Sequence, residues 1–164
     1  MKSIAILFFG LVMAGQSTAV GKVDTTFDKK ANFAALHTYS WASGRPAFLP
    51  EAHRAILAAF DAEMATLGFK KVDSGADVTI AYSTLTLTQV DPKDLDKLDK
   101  KTDPGPTKEL GRLAVVMRSA QARNQLWTAT TQEFLDSDRA KLDATIQAVA
   151  ARLFATYPTR ATRK

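Results

Sequence analysis

The chain has 164 residues, of which 46% are hydrophobic and 24% are charged, and it contains no cysteine. This length suits one ordinary domain, and the missing thiols exclude disulfides, a cysteine nucleophile and cysteine-ligated metals. The formal net charge of +5 is small. The lysine and arginine residues are not concentrated in one part of the sequence, so we expect no nucleic-acid partner.

Residues 1–19 have the pattern of a secretory signal peptide. Lys2 precedes an apolar run from Ile4 to Ala14, and Ser17 and Ala19 supply small side chains for cleavage after Ala19. The apolar run is shorter than the roughly 20 residues that span a bilayer. We therefore expect a periplasmic or secreted protein with no transmembrane segment after cleavage, and no lipid anchor because there is no cysteine. Retention of the leader as an anchor is the alternative.

Alternating polar and apolar side chains predict two strands after the leader, over residues 23–28 and 35–41. In the second strand, His37, Tyr39 and Trp41 share one face. This row is core if the predicted helices cover that face, and a candidate ligand surface if they do not.

Helical spacing of apolar residues predicts a helix that opens at Pro50 and runs to Leu67. Gly68 ends it, because glycine adopts the left-handed conformation common after a helix C-terminus. A short strand follows over residues 69–72.

A long strand begins at Val78, and its apolar side chains change face after Tyr82, where Leu85 and Leu87 follow. Side chains of a regular strand alternate between two faces, so an apolar face cannot change sides by itself. A β-bulge near Ser83–Thr84 would reset the register, and this is what we expect. A sheet covered on different faces along its length is the alternative.

Residues 89–109 interleave aspartate and lysine with three prolines and predict a charged, solvated loop. Two strands follow, over residues 112–120 and 125–134, joined by a hairpin turn. A closing helix is predicted over residues 138–156, and a basic tail over 159–164.

The predicted element order is ββαββββα over residues 20–158. Each helix has one apolar stripe, which fits an α+β two-layer sandwich. We expect a single domain with one mostly antiparallel sheet of about five to six strands and both helices on one face.

The sequence identifies no catalytic residue, metal ligand or cofactor-binding motif. His37 and His53 are the only histidines, and neither has the spacing of a zinc or hydrolase motif. Glycine-rich phosphate loops are also missing. Aromatic side chains offer one candidate binding surface, formed by Tyr39, Trp41 and Trp127. The alternative is that these rings only pack in the core or at the edge of the sheet.

The stretches "VDTTFDKKANFAALHTYSW" and "LGFKKVDSGADVTIAY" resemble family 4136 of the domains of unknown function, a family of bacterial envelope proteins, and the similarity spans nearly all of the mature chain. The resemblance implies an envelope location and an α+β fold but no activity. The residues that match the family motif are Asp24, Phe33, Thr38, Tyr39, Trp41, Gly68, Phe69, Asp77 and Tyr82.

The chain departs from this family in two respects. Many relatives look like lipoproteins with an anchoring cysteine, which is missing here. Relatives also tend to carry acidic residues in the strand after the long loop, where this chain has Val115, Val116, Met117 and Arg118.

We therefore expect a non-enzymatic accessory or binding module of the cell envelope, with an envelope protein or a glycan as partner. A small periplasmic hydrolase with a site near His37 or His53 is one alternative. Binding to an anionic surface through the basic tail, which carries Arg160, Arg163 and Lys164, is another.

Overall fold

The computed structural model describes residues 21–42, 47, 49–90, 107–134 and 141–161. The predicted signal peptide, most of the predicted charged loop, the predicted start of the closing helix and the last three residues of the basic tail lie outside the described residues.

The described residues form one open six-stranded sheet. The strands are β1 (Val23–Phe27), β2 (Thr38–Trp41), β3 (Lys70–Lys71), β4 (Val78–Val90), β5 (Thr107–Ser119) and β6 (Gln125–Phe134). Their spatial order is β1-β6-β5-β4-β2-β3. β2 runs parallel to β3 and β4, and the other neighbouring pairs are antiparallel. A parallel pair needs a crossover connection, which the first helix supplies.

Two helices, α1 (Pro50–Thr66) and α2 (Leu142–Phe154), lie side by side on one face of the sheet. Their buried stripes are Ile56, Ala59, Phe60 and Met64 in α1, and Ile146, Val149, Ala150, Leu153 and Phe154 in α2. The predicted α+β sandwich is therefore confirmed. Gly68 has a φ of 88° directly after α1, as its predicted role requires.

Two short elements were not predicted. A 3-10 turn, Phe33–Ala35, buries the Phe33 ring against Tyr157 and delays the start of β2 to Thr38. A one-turn helix, α3 (Pro158–Ala161), follows α2.

The first part of the predicted basic tail is attached to α1. Arg160 Nη1 donates to Glu63 Oε2 at 2.8 Å, and Arg160 Nη2 also contacts the Thr66 hydroxyl. The predicted charged loop is shorter than expected, because antiparallel pairing of β4 with β5 continues to Val90 and resumes at Thr107.

The predicted bulge at Ser83–Thr84 is wrong. β4 and β5 pair in unbroken register from Val78 to Val90, and the one shift among the described strands lies in the β5–β6 pairing, between Met117 and Arg118. Leu85 and Leu87 consequently lie on the face opposite the helices. The helix-facing side of β4 continues with the small side chains of Thr84 and Thr86, which lie opposite residues of both helices.

Candidate functional site

Tyr39 and Trp41 of β2 face the helices, and both bind the carboxylate of Asp61 in α1. Tyr39 Oη and Trp41 Nε1 both donate to Asp61 Oδ1, at 2.6 and 2.9 Å, and Lys71 Nζ donates to Asp61 Oδ2 at 2.9 Å. We call these four residues the Asp61 cluster. It fastens α1 to β2 and β3.

The hydrogen bonds of the Asp61 cluster determine its ionisation. Burial alone would raise the pKa of the Asp61 carboxyl, but the hydrogen bonds from Tyr39, Lys71 and Trp41 outweigh burial and hold that pKa below its ordinary value. Burial and the bond to Asp61 raise the pKa of the Tyr39 phenol. A carboxylate that accepts three bonds and a phenol that keeps its proton are suited to structure rather than to proton transfer.

A second polar cluster joins the starts of β2 and β4. Asp77 Oδ2 accepts hydrogen bonds from the backbone N–H groups of His37 and Thr38 and from the Thr38 hydroxyl, at 2.9, 2.8 and 2.9 Å. These bonds, that of the His37 N–H foremost, lower the pKa of Asp77. Two of the family-motif residues, Thr38 and Asp77, thus connect parallel strands.

The two histidines lie in different places. The His37 side chain is exposed before β2. His53 is half-buried in the first turns of α1, where its Nδ1 contacts the Tyr82 hydroxyl, and that hydroxyl accepts a bond from the Ala47 N–H at 2.8 Å. Within the described ranges, no three histidine, aspartate or glutamate side chains lie close enough to hold a metal ion.

The three aromatic residues named as a candidate surface do not share one. Trp127 is 0% exposed, packs against Phe154 and Tyr157, and donates from Nε1 to the Thr25 hydroxyl at 3.0 Å. Tyr39 is buried in the Asp61 cluster, and Trp41 stacks on Phe60 at a centroid distance of 6.2 Å. These rings belong to the packing between the sheet and the helices.

A groove of about 700 Å³ lies between the two helices and the outer ends of β4, β5 and β6. We call it the helix–sheet groove. Its aliphatic lining comes from both helices, from the residue before α1 and from β5, and none of the described lining side chains is aromatic. The main aliphatic contributors are Leu49, Ile56, Leu113, Leu142, Ile146 and Val149.

Small side chains on the sheet create this groove. At the inner end of the sheet, large side chains such as Ile80 and Met117 fill the space beneath the helices. Further along the same two strands, the positions that face the helices hold Thr84, Thr86 and Gly111. Two threonines and a glycine are too small to fill the space beneath the helices, so a groove remains between the helices and the sheet.

Charged side chains border the groove with both signs. Glu109 and Glu133 lie on the face of the sheet that lines the groove, and Glu133 forms an ion pair with Arg152 of α2. Arg152 therefore offsets one of the two acidic charges at the rim.

Sequence reasoning missed both the Asp61 cluster and the groove. Asp61 follows Phe60 in the buried stripe of α1, and a carboxylate beside a buried stripe was the available signal. The groove is assembled from five separate elements and left no local signal.

Comparisons with known proteins support the fold. The family profile described as Domain of unknown function (DUF4136) matches residues 23–159. A PDZ domain protein from Parabacteroides distasonis has a similar structure, with a TM-score of 0.57 and 17% identity; the match covers 83% of this chain and 35% of that one, so this chain spans about a third of its length. A PelC dodecamer from Paraburkholderia phytofirmans gives a TM-score of 0.54 and 11% identity, covering 82% of this chain and 95% of that one. No curated protein matches.

Proposed function

Because the chain belongs to the family Domain of unknown function (DUF4136), whose description assigns no activity, we propose from its geometry that it is an exported, non-catalytic binding module. The ligand is an alkyl chain with an uncharged or zwitterionic head group, and it lies in the helix–sheet groove.

The aliphatic lining of the groove carries this proposal. Its volume of about 700 Å³ falls within the roughly 300–1,000 Å³ of small-molecule sites. Burial of an alkyl chain stabilises a complex by about 0.8 kcal/mol per methylene group, and leucine, isoleucine and valine side chains provide a surface of matching chemistry. Glycans are commonly bound by stacking on exposed aromatic rings, and none of the described side chains that line the groove is aromatic.

The charges at the rim favour a particular kind of head group. Glu109 and Glu133 border the groove and Arg152 is paired with Glu133, so a strongly anionic or cationic head group would meet charge of its own sign. An uncharged or zwitterionic group avoids this repulsion.

Export is supported by the leader pattern of residues 1–19. No helix in the described part of the chain is long and apolar enough to cross a membrane. An exported protein meets lipids and their derivatives in the envelope, which is where alkyl ligands of this kind occur.

Calorimetric titration with decanol tests the proposal. Gly111 faces the groove at a position where its backbone conformation does not require glycine, so Gly111→Ile places a branched side chain in the space that the ligand would fill. Displacing about two methylene groups should weaken decanol binding by at least about tenfold. The matched control is Ala114→Ile, on the opposite face of the same strand, which should bind decanol like the wild type.

Binding of decanol by the wild type with a negative heat-capacity change, lost in Gly111→Ile and kept in Ala114→Ile, supports the groove. No binding by the wild type, or equal binding by the two variants, contradicts it.

A further inference from the structure

The outer half of β4 has a strand neighbour on one side only. β5 pairs with β4 along the whole length of β4, whereas β2 pairs with β4 only from Val78 to Ile80 of β4. The Ala42 N–H adds one bond to the Ile80 carbonyl. Beyond that point no strand in the described ranges pairs with the free side of β4, so among the described residues this side of β4 is a sheet edge.

The side chains of this edge are exposed on both faces. All six residues from Ser83 to Thr88 are exposed, and Leu85 and Leu87 are 47% and 39% exposed. Exposed edge strands are usually protected from pairing by charge, proline, a bulge or short length. The segment Ser83–Thr88 has no charged residue and no proline, and its register is unbroken.

We infer that Ser83–Thr88, which we call the β4 edge, pairs antiparallel with the same segment of a second copy of this chain. A two-fold axis at Thr86 places each Leu85 opposite Leu87 of the other copy, so all four leucines become neighbours on one face. The threonines pair on the other face, where threonine pairs are favourable in sheets.

The uncharged segment favours a second copy over another partner. In a symmetric antiparallel pair each side chain meets a residue of its own segment, and a charge at residue 86 would meet a like charge across the two-fold axis. The alternation Thr84-Leu85-Thr86-Leu87-Thr88 is the same in both directions, and it therefore complements itself. The pairing joins two sheets into one and keeps the helices of both copies on the same side. Thr84 and Thr86 also line the groove, but the oligomeric mass of the protein reports the pairing whether or not the groove binds a ligand.

Light scattering after gel filtration of the purified protein tests the pairing. The wild type should be a dimer at micromolar concentration. Thr86→Lys places two ammonium groups at the two-fold axis and should give a monomer. Thr26→Lys makes the same substitution at an exposed position of β1, the strand at the opposite edge of the sheet, and should remain a dimer. A monomeric wild type, or two variants with the same mass, overturns the inference.

The absence of cysteine allows a second test that does not depend on weakening the protein. In Thr86→Cys the two thiols lie directly opposite, with Cβ atoms about 5 Å apart, close to the spacing of a disulfide. In Thr84→Cys each thiol lies opposite residue 88 of the other copy, roughly 14 Å along the strand from its equivalent. Oxidation should crosslink the first variant and not the second. Equal crosslinking of both variants, or of neither, contradicts the register.

Discussion

Thr38 and Asp77 bond to each other in both directions at the point where the parallel strands β2 and β4 begin. The Thr38 hydroxyl donates to the Asp77 carboxylate at 2.9 Å, and the Asp77 N–H donates to that hydroxyl at 2.9 Å. The two residues are 39 positions apart, with α1 between them. These bonds therefore hold β2 and β4 together at the two ends of the connection that contains α1.

Replacing Asp77 by alanine should destabilise the protein markedly. The substitution leaves the N–H groups of His37 and Thr38 and the Thr38 hydroxyl without their acceptor. Hydrogen bonds to a charged acceptor contribute about 1.5–3 kcal/mol each, so we expect urea denaturation to show a loss of at least about 2 kcal/mol. Asp73→Ala, at an exposed position nearby, is the control and should be nearly neutral. Equal stability of the two variants would refute a role for Asp77.

The Asp77 carboxylate should also contribute to acid sensitivity. The hydrogen bonds that lower its pKa favour the ionised form in the folded state, so the stability they contribute is present above the ordinary aspartate pKa of about 3.9. It is lost as the pH falls through the lower pKa of the folded state. We expect the free energy of unfolding of the wild type to fall more than that of Asp77→Ala between neutral pH and about pH 2. Parallel pH profiles would contradict this assignment.

Substitutions in the Asp61 cluster should follow a definite rank order. Asp61→Ala removes the shared acceptor of Tyr39, Trp41 and Lys71, leaving a buried phenol and an indole without partners. Tyr39→Phe removes one donor, and the carboxylate keeps two others. Asp61→Ala should therefore cost about 2–4 kcal/mol and Tyr39→Phe about 1 kcal/mol. Chemical denaturation measures both, and a larger loss in Tyr39→Phe would contradict the shared acceptor.

Export makes a prediction about the mature N-terminus. If residues 1–19 are a cleaved leader, N-terminal sequencing of the protein from the envelope fraction should begin at Val20. Ala19→Arg places a large charged side chain at the cleavage site and should leave the longer precursor, because that position requires a small residue. Recovery of intact wild type beginning at Met1 would instead indicate a retained anchor.

Periodicity was sufficient to predict the fold class. The apolar stripes of α1 and α2 and the alternation in β6 depend on local spacing, which sequence shows directly. The change of parity after Tyr82 predicts a bulge that the structure lacks, because a strand pattern cannot show that the sheet leaves space beneath the helices. Leu85 lies on a regular strand whose helix-facing positions are Thr84 and Thr86.

The candidate site was less predictable than the fold because no single segment forms it. Gly111 and Ile146 meet at the groove only after β5 and α2 have packed. The aromatic residues stand out in the sequence as a possible binding surface, but the fold uses them for packing. Trp127 is large and apolar, and such a side chain is most often used inside the core.

The hydroxyl of Tyr157 is buried in the aromatic core. Tyr157 is 1% exposed, its ring packs against Phe33, Phe69 and Trp127, and its hydroxyl has no hydrogen-bond partner among the described residues. Burial raises the pKa of this phenol because the surrounding rings disfavour its charged form.

Tyr157→Phe should therefore stabilise the protein. It keeps the ring contacts and removes a hydroxyl that lost its water on folding, which costs about 1–3 kcal/mol when no bond replaces it. We expect a gain of about 1 kcal/mol and a rise in Tm of about 2–5 °C by calorimetry. The gain should grow above about pH 10, where the unfolded tyrosine ionises and the folded one does not. Tyr39→Phe is the matched control, because its hydroxyl donates to Asp61 and the same substitution there should destabilise. A lower Tm for Tyr157→Phe would show that the hydroxyl has a partner in the folded protein.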